Sequence, residues 1–411
     1  MRAAVLAAGG KVLGDMIAGI GCGRRTEALM CCGVRMESKG IETKTLLTML
    51  GPVPFARSRF ECSLCGKPWY PGDEELDVVD TTRSPGVRRM MGRAGSKSTF
   101  KEGRDDLKIY AGLTVSAKDV ERVAEGLGHQ VERWLTDERN ALLKQEEPSD
   151  PAEAISLLYV SYDGTGVPMI PRELKGRRGK QADGTAKTRE VKLGCVFTQT
   201  TTDEAGFPVR DPHSTTFVGA IESAGEFGKR IYAEAVRRGL LSALQVVILG
   251  DAARWIHGLA EEYFPGAIQI VDLYHAREHV SNLCRLLFSP SEPLVLRWRA
   301  RWWTALDEGK VEKIIAQAQS NLPRDQETKE KAEKEINFLT ENKERMRYVD
   351  FRTQGLFVGS GVVEAGCKTI IGQRLKQSGM EWSVRGANAI IALRCLILSG
   401  RWEEFWEARC G

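Results

Sequence analysis

LLYVSYDGTGVPM, residues 157–169, is the stretch of sequence that decides the fold. Its run of apolar, β-branched and aromatic residues is typical of a buried strand, and the run ends at Asp163. A second stretch, QVVILGDAARWI at residues 245–256, has the same form and ends at Asp251. Open α/β sheets keep their chemistry at the carboxyl ends of their strands. We therefore expect both carboxylates to emerge at that edge of one central sheet.

The pattern around these two stretches predicts the order of the elements. Strands are predicted at 156–162, 191–199, 214–220, 245–250 and 267–272. Helices are predicted at 224–240, at 252–264 and from residue 275 to about 287. Three strands followed by helix, strand, helix, strand and helix is the order of an RNase H-like fold. The expected class is therefore α/β, with a mixed sheet flanked by helices.

An RNase H-like order also predicts a third acid, on a later helix beside the first and fourth strands. The stretch GSGVVEAGCKTI at 359–370 carries Glu364 and has a helical pattern. Mg²⁺ takes oxygen ligands, and two such ions roughly 3.5–4 Å apart can serve the attacking and leaving oxygens of a phosphodiester. Asp163, Asp251 and Glu364 therefore predict a site for two Mg²⁺ or Mn²⁺ ions.

The length of 411 residues exceeds the roughly 100–200 residues that are usual for one domain. In 115–131, valines and a leucine at helical intervals predict a helix capped by Ser116. The long, charged and helical stretch between the second and third acids predicts an insertion. We expect five regions: a Cys-containing module at 1–80, a basic and helical DNA-binding region at 81–150, the first part of the catalytic core at 151–290, an all-helical insertion at 291–350, and the C-terminal helices of the core, with the third acid, at 351–411.

Basic residues are concentrated in two segments, 81–104 and 172–192, although the formal net charge is only +4. Such segments favour a polyanionic partner, because each neutralised phosphate releases counterions. A solvated face or a flexible loop explains either segment alone equally well. The residues that we expect to contact DNA are Arg83, Arg88, Arg89, Arg93, Lys175, Arg177, Arg178 and Lys180.

Membrane and export signals are not apparent in the sequence. No uninterrupted apolar run reaches the 18 residues typical of a membrane span. The apolar residues 1–21 are broken by Lys11 and Asp15, so we expect no signal peptide. These features predict a cytoplasmic protein, without a membrane partner, whose ten cysteines are reduced.

The stretch VDLYHAREHV at 271–280 carries a further group of polar residues. Asp272 ends the fifth predicted strand and could reach the metal pocket, while His275 and His279 share one helix face. We favour a role for Asp272 and His275 in supporting the metal ligands or contacting DNA. Direct ligation of a metal by the two histidines stays open, and a helix N-cap at Asp272 is the simplest alternative.

Five motifs together resemble the ISKra4 family of bacterial insertion-sequence transposases. They are YVSYDGTGVPM, LGDAARWI, IVDLYHAREHV, GSGVVEAGCKTIIGQRLKQSGMEWS and GANAIIALRCLILSGRWEEFW. The resemblance covers roughly residues 31–408, and its carboxy-terminal block is the most specific part. It implies an RNase H-like Asp-Asp-Glu site, whose acids by position are Asp163, Asp251 and Glu364.

The activity implied by this resemblance is DNA transposition. A transposase hydrolyses a phosphodiester at an element end and joins the freed 3′-hydroxyl to target DNA, and we expect a homodimer or higher oligomer on DNA in the bacterial nucleoid. Two alternatives stay open. One is an RNase H-like nuclease that cuts and does not join. The other is a transposase-derived, non-catalytic DNA-binding protein.

Cys62 and Cys65, in Cys-Ser-Leu-Cys-Gly, have the spacing of a zinc knuckle, in which two thiolates meet one tetrahedral ion. The family resemblance implies an earlier knuckle ending in Cys-Gly, which here contains Cys32. Leu29 stands where the first thiol of that knuckle would lie. A structural zinc site at Cys32, Cys62 and Cys65 is therefore expected, with a vestigial site or free thiols as alternatives.

The fourth zinc ligand is left open, because either Cys31 or Cys22 could supply it. The other cysteines lie in apolar contexts or at the terminus, and we expect them to be chemically inert. They are Cys195, Cys284, Cys367, Cys395 and Cys410.

Overall fold

A computed structural model describes residues 1–25, 27–144, 155–179, 181 and 183–409. Lys180, one of the expected DNA contacts, and Cys410 lie outside these residues. The chain divides into two compact units, Met1–His129 and Gln130–Gly411, which we call unit 1 and unit 2. Within the described ranges, no helix is long and apolar enough to cross a membrane.

Unit 1 contains two small antiparallel sheets. Its strands are β1 (Met30–Cys31), β2 (Val34–Arg35), β3 (Glu37–Thr48), β4 (Gly51–Glu61) and β5 (Pro68–Trp69). β1 pairs with β2, and β3, β4 and β5 follow one another in the larger sheet. The turns in β1–β2 and after β4 bring the cysteine-bearing segments to the same end of the unit.

The helices of unit 1 are α1 (Arg2–Ile20), α2 (Pro71–Glu75), α3 (Pro85–Lys97), α4 (Phe100–Asp106) and the first half of α5 (Ala117–Leu142). α1 covers the β3–β4 sheet, where Ile17, Val53 and Phe55 are buried together. As predicted, α5 begins after Ser116, whose Oγ accepts a hydrogen bond of 3.0 Å from the N–H of Asp119. Side-chain capping satisfies one of the N–H groups that a helix leaves unpaired at its start.

Unit 2 is built on one five-stranded mixed sheet and a short two-stranded sheet. The strands are β6 (Ile155–Pro168), β7 (Thr188–Gln199), β8 (Thr201–Thr202), β9 (Pro208–Val209), β10 (Thr216–Ala220), β11 (Ala243–Gly250) and β12 (Ile268–Val271). The order in the large sheet is β10-β7-β6-β11-β12. β7 is antiparallel to β6 and β10, whereas β6, β11 and β12 run parallel. All five predicted strands of the large sheet are present.

β6 is longer than the sequence predicts, because it continues six residues beyond 162 to Pro168. Asp163 therefore lies within the strand, opposite Leu193 of β7, and not at its end. The glycines after Asp163 suggest a turn, but they serve close packing between the strands. A Cβ at Gly164 would lie 2.6 Å from Oε1 of Glu190, so a larger residue there would displace that side chain.

The helices of unit 2 complete the α/β architecture. They are α6 (Ala224–Arg237), α7 (Arg254–Tyr263), α8 (Leu273–Phe288), α9 (Glu292–Asp307), α10 (Val311–Gln319), α11 (Gln326–Asn342), α12 (Tyr348–Thr353), α13 (Gly361–Gly366), α14 (Gln373–Leu375), α15 (Val384–Leu398) and α16 (Trp402–Glu407), together with the second half of α5. The predicted helices at 224–240, 252–264 and 275–287 correspond to α6, α7 and α8. Residues 292–353 contain α9 to α12.

Helices cover both faces of the large sheet, and alternate residues of β6 point to opposite faces. Leu158 and Tyr162 lie in a core with residues of α6 and α7. Tyr159 lies in the opposite core, which includes Leu273 of α8, Trp302 of α9 and Val363 of α13. Asp163 lies four residues after Tyr159 and therefore on the same face of β6. Its side chain is directed towards α13, which packs on that face.

The segment that carries Glu364 is helical, but it is not one regular α-helix. A π-helical turn, Cys367–Gly372, joins α13 to α14. Ile370 and Ile371 are fully buried, in agreement with the predicted apolar face. π turns inside helices frequently mark functional sites, because the inserted residue re-aims the side chains around it.

Candidate active site and cysteine cluster

Asp163 and Asp251 come from neighbouring parallel strands. Leu249 pairs with Ser161, and each aspartate follows its paired residue by two positions. Neighbouring strands lie roughly 4.8 Å apart, so this register brings the two carboxylates side by side. The parallel pairing of β6 with β11 ends here, whereas β6 continues in its pairing with β7.

The pKa of Asp163 is raised, and the other two acids contribute to this shift. Burial of the half-exposed carboxyl is the largest cause, and the negative charges of Asp251 and Glu364 raise the pKa further. Hydrogen bonds from the Gly164 N–H, at 2.6 Å, and from the Cys367 thiol act in the opposite direction. The charges of the other two acids therefore act on Asp163 in the same direction as burial.

A short hydrogen-bond network connects Glu364 to Asp272 through Ser360. Ser360 Oγ lies 3.2 Å from Oε1 of Glu364 and 3.0 Å from Oδ2 of Asp272. The backbone N–H of Ser360 also donates to Oδ2 of Asp272, at 2.6 Å. Asp272 thus connects the start of α8 to the start of α13, while its other oxygen caps α8 by accepting from the N–H of His275, at 2.7 Å.

Both interpretations of Asp272 are compatible with this geometry, because one carboxylate serves as helix N-cap and as support for Glu364. The side chain of His275 is directed towards His279. Its Nε2 lies 3.2 Å from Nε2 of His279, and no contact between His275 and the three acids is present among the described residues.

In unit 1, four thiols converge. The Sγ atoms of Cys31, Cys32, Cys62 and Cys65 all lie within 4.8 Å of one another. Cys31 Sγ is 3.8 Å from both Cys32 Sγ and Cys65 Sγ. Four sulfurs at about 2.3 Å from a tetrahedral Zn²⁺ would lie about 3.8 Å apart, so the cluster could hold a metal such as zinc.

The cluster identifies the fourth thiol that the spacing alone leaves open. Cys31 joins the three expected residues, whereas Cys22 Sγ lies 3.3 Å from Ser58 Oγ. Backbone N–H groups of Cys65 and Leu64 lower the pKa of Cys62 to about 7. Hydrogen bonds with neighbouring thiols raise the pKa of Cys31 to about 12.

The expected DNA contacts of unit 1 lie in different environments. Arg88 is buried and forms an ion pair of 2.6 Å with Asp77, and Arg83 pairs with Asp119 at 2.5 Å. These two guanidinium groups hold the fold together, which departs from the expectation that they face phosphates. Arg89 is half-buried and Arg93 is exposed.

The expected contacts of unit 2 lie beside a cavity of about 950 Å³. Lys175 and Arg177 line this cavity and are exposed, as is the nearby Arg178. Lys376 also lines it, and its Nζ donates a hydrogen bond of 2.5 Å to Oγ1 of Thr165, two residues after Asp163. The cavity therefore has positive charge and adjoins the strand that carries the first acid.

Comparisons with known proteins give limited similarities. Residues 233–407 match the model of an uncharacterised protein family, UPF0236. Among solved structures, the Drosophila P element transposase strand transfer complex is similar at 11% identity, over 79% of this chain and 80% of that chain, with a TM-score of 0.25. No curated protein matches the chain.

Two residues of these sites are not apparent from the sequence pattern alone. Ser360 lies one helical turn before Glu364, and that spacing is the signal that could have identified it. Cys367, expected to be inert, donates to Asp163. Cys31, in contrast, is one of the two thiols that the sequence offers as the fourth ligand.

Proposed function

We propose that the protein is a DNA transposase of a bacterial insertion sequence, with an RNase H-like catalytic core. The enzyme cleaves phosphodiester bonds at the element ends and joins the 3′-hydroxyl ends to target DNA, as a dimer or higher oligomer in the nucleoid. The observation that carries this proposal is the register of β6 and β11, in which Asp163 and Asp251 lie side by side, with α13, which carries Glu364, packed against the same face of β6. The strand order β10-β7-β6-β11-β12 and the motif resemblance support it.

The donor set suits hard divalent cations. Carboxylate oxygens are the ligands that Mg²⁺ and Mn²⁺ prefer, and the negative charges of Asp251 and Glu364 both act on Asp163. Asp163, Asp251 and Glu364 would hold the two ions. When bound, such ions supply positive charge at the attacking and leaving oxygens of a phosphodiester.

The other residues of the site orient these acids. Ser360 donates to a carboxylate and is itself fixed by Asp272, so the Glu364 side chain is restrained before any ligand arrives. The thiol of Cys367 restrains Asp163 in the same way. Pre-oriented carboxylates lose less conformational freedom on binding, which favours a well-defined reaction geometry.

Binding of DNA is assigned to the exposed basic residues. Lys175 and Arg177 flank a cavity next to β6, which suits a phosphate backbone that approaches the acids. Arg178 and, in unit 1, Arg93 are further exposed cations for phosphate contacts. The cysteine cluster is proposed as a closed, structural zinc site rather than a catalytic one, because four thiolates leave no open position on a tetrahedral ion.

The test is a Mg²⁺-dependent assay on DNA that carries the gene with its native flanking sequence. Cleavage at the element boundary and joining to a target plasmid are measured separately. Asp251→Asn removes a charge but keeps the side-chain shape, so both activities should fall at least about a hundredfold. Glu226→Gln is the matched control, since Glu226 is an exposed acid that pairs with Lys229, at 2.9 Å, on α6.

Each outcome distinguishes between the functions. Cleavage without joining would favour a nuclease. Binding of the end DNA without cleavage in the unaltered protein would favour a non-catalytic DNA-binding protein. Full activity of Asp251→Asn would reject the assignment of the acids.

A further inference from the structure

We propose that His275 and His279 form a binding site for a transition-metal ion such as Zn²⁺ or Ni²⁺, separate from the acid site and the cysteine cluster. The histidines lie four residues apart on α8, so both rings project from the same helix face. Two histidines in this arrangement on one helix hold zinc in a well-known class of sites.

The separation of the two ring nitrogens supports this assignment. His275 Nε2 and His279 Nε2 lie 3.2 Å apart. Two imidazole nitrogens that each lie 2.0–2.1 Å from a tetrahedral ion are separated by about 3.3 Å. Two nitrogen lone pairs cannot face each other at this distance unless a proton or a metal ion lies between them. The protein therefore holds the pair at a ligand-to-ligand spacing before an ion binds.

A carboxylate hydrogen-bonds the far nitrogen of the His279 ring, and a second carboxylate lies near the His275 ring beyond hydrogen-bond distance. Glu335 Oε2 hydrogen-bonds Nδ1 of His279, at 2.5 Å, and Glu278 Oε2 lies 3.9 Å from Nδ1 of His275. When Nδ1 donates to a carboxylate, the ring is fixed in the tautomer that leaves Nε2 free to bind a metal. Carboxylate–histidine–metal chains are typical of zinc sites for this reason.

Packing also fixes the orientation of the rings. Phe338, one helical turn after Glu335 on α11, stacks on His279 with ring centroids 3.6 Å apart and meets His275 edge-on at 6.0 Å. Both histidine side chains remain partly accessible, at 33% for His275 and 25% for His279. Only two protein ligands converge among the described residues, so the remaining positions on the ion are open to water or to a ligand.

Nitrogen ligands decide the class of metal. Imidazole favours Zn²⁺, Ni²⁺ and Cu²⁺, whereas Mg²⁺ prefers oxygen. This site should therefore bind a different ion from the one proposed for the three acids. The inference does not rest on the proposed function, because the two histidines would bind a metal whether or not the protein cleaves DNA.

The test is titration of Ni²⁺ into the full chain, followed by calorimetry in buffer without Mg²⁺. We expect a binding component with a stoichiometry of one Ni²⁺ ion per chain. This component should be lost in both His275→Gln and His279→Gln. Glutamine keeps the size and polarity of the side chain, so these variants should fold, and circular dichroism checks that they do. His257→Gln is the matched control, because His257 is a partly buried helix histidine that pairs with Gln269 and Glu261.

Two further variants test the details. Glu335→Gln should retain the component but weaken its affinity roughly 10–100-fold, because it removes the carboxylate behind His279. Asp251→Asn should leave it unchanged, which separates this inference from the proposed catalytic site. The inference is overturned if His275→Gln and His279→Gln bind Ni²⁺ as the unaltered protein does, or if the component is lost in Asp251→Asn or His257→Gln instead.

Discussion

Cys31 and Cys32 illustrate how backbone conformation brings adjacent residues to one point. Cys32 has a φ of 50° and Gly33 a φ of 77°, so the chain reverses sharply after β1. The left-handed conformation is rare for a residue with a side chain, and it persists where the surrounding structure requires it. Here the reversal turns both thiols towards the knuckle of Cys62 and Cys65.

Removal of one thiol should abolish the zinc site. In Cys62→Ser, we expect bound zinc to fall from one ion per chain to none, because a hydroxyl is a poor zinc ligand and a closed site needs four. Unit 1, Met1–His129, should then unfold at a lower temperature, by roughly 4 °C for each kcal/mol of lost stabilisation. Metal analysis and thermal denaturation measure both effects.

Cys22→Ser is the control for this prediction, because Cys22 contacts Ser58 and lies outside the cluster. It should retain one zinc ion per chain. Equal zinc content in Cys62→Ser and the unaltered protein, or loss of zinc in Cys22→Ser, would contradict the assignment. The same experiment decides between a functional and a vestigial site.

Residue types with suitable spacing could be identified from the sequence, but their environments could not. Cys62 and Cys65 were predictable because a knuckle is local. The pairing of Arg88 with Asp77 was not, because it depends on how α3 packs beside a turn. A basic segment does not reveal which of its cations face solvent and which are bound inside. Ser360 was missed for the same reason, since Asp272 is distant in sequence.

At the level of elements, Gly366 allows α13 to lie close to the sheet. A Cβ at this position would lie 2.8 Å from Cε1 of Phe217 and 3.2 Å from Cδ2 of Leu193. Because Phe217 is on β10 and Leu193 on β7, any larger residue would push the helix away from both strands. Glu364, two residues earlier, would move with the helix.

Gly366→Ala should therefore reduce DNA cleavage by about tenfold or more, since displacement of a catalytic group by about 1 Å can cost 10²-fold. Overpacking should also lower the free energy of unfolding by about 1–3 kcal/mol. Gly372→Ala is the matched control on the same helical segment, because its Cβ would lie 3.6 Å from the nearest atom, an ordinary contact. Equal cleavage by the two variants would show that α13 does not need this close approach.

Apolar periodicity predicted every strand of the large sheet and the helices α6, α7 and α8, but it did not predict the irregular features. The extension of β6 to Pro168 follows its continued pairing with β7, a partner distant in sequence that no local pattern reveals. The π turn at Cys367–Gly372 has the same apolar residues as a regular helix. Both irregularities lie beside Asp163 or Glu364, where local rules are often broken for function.

On the scale of the whole molecule, the acid site and the cysteine cluster belong to different units. Asp163, Asp251 and Glu364 all lie in unit 2, and the four clustered thiols all lie in unit 1. Loss of zinc should therefore affect the folding of unit 1 without removing any of the three acids. Chemistry and metal-dependent stability can be tested separately in the full chain.

DNA affinity should likewise be separable from cleavage, because it depends on cations that do not belong to the acid site. Replacing Lys175 and Arg177 together with glutamine should weaken binding to all sequences. It should also reduce the slope of log affinity against log salt concentration by up to about two, since each phosphate contact contributes roughly 0.9. The Asp251→Asn variant should bind DNA at least as tightly as the unaltered protein, because the substitution removes a negative charge near the DNA phosphate backbone.

Gel-shift titration at several salt concentrations measures these slopes. The matched control is the double variant Lys329→Gln and Lys331→Gln, which removes two cations from α11, where they pair with Glu333 and Glu327. Its slope should equal that of the unaltered protein if the DNA path follows the cavity beside β6. An unchanged slope in the Lys175 and Arg177 variant would place the DNA elsewhere. Equal losses in both double variants would mean that binding reflects net charge and not a defined surface.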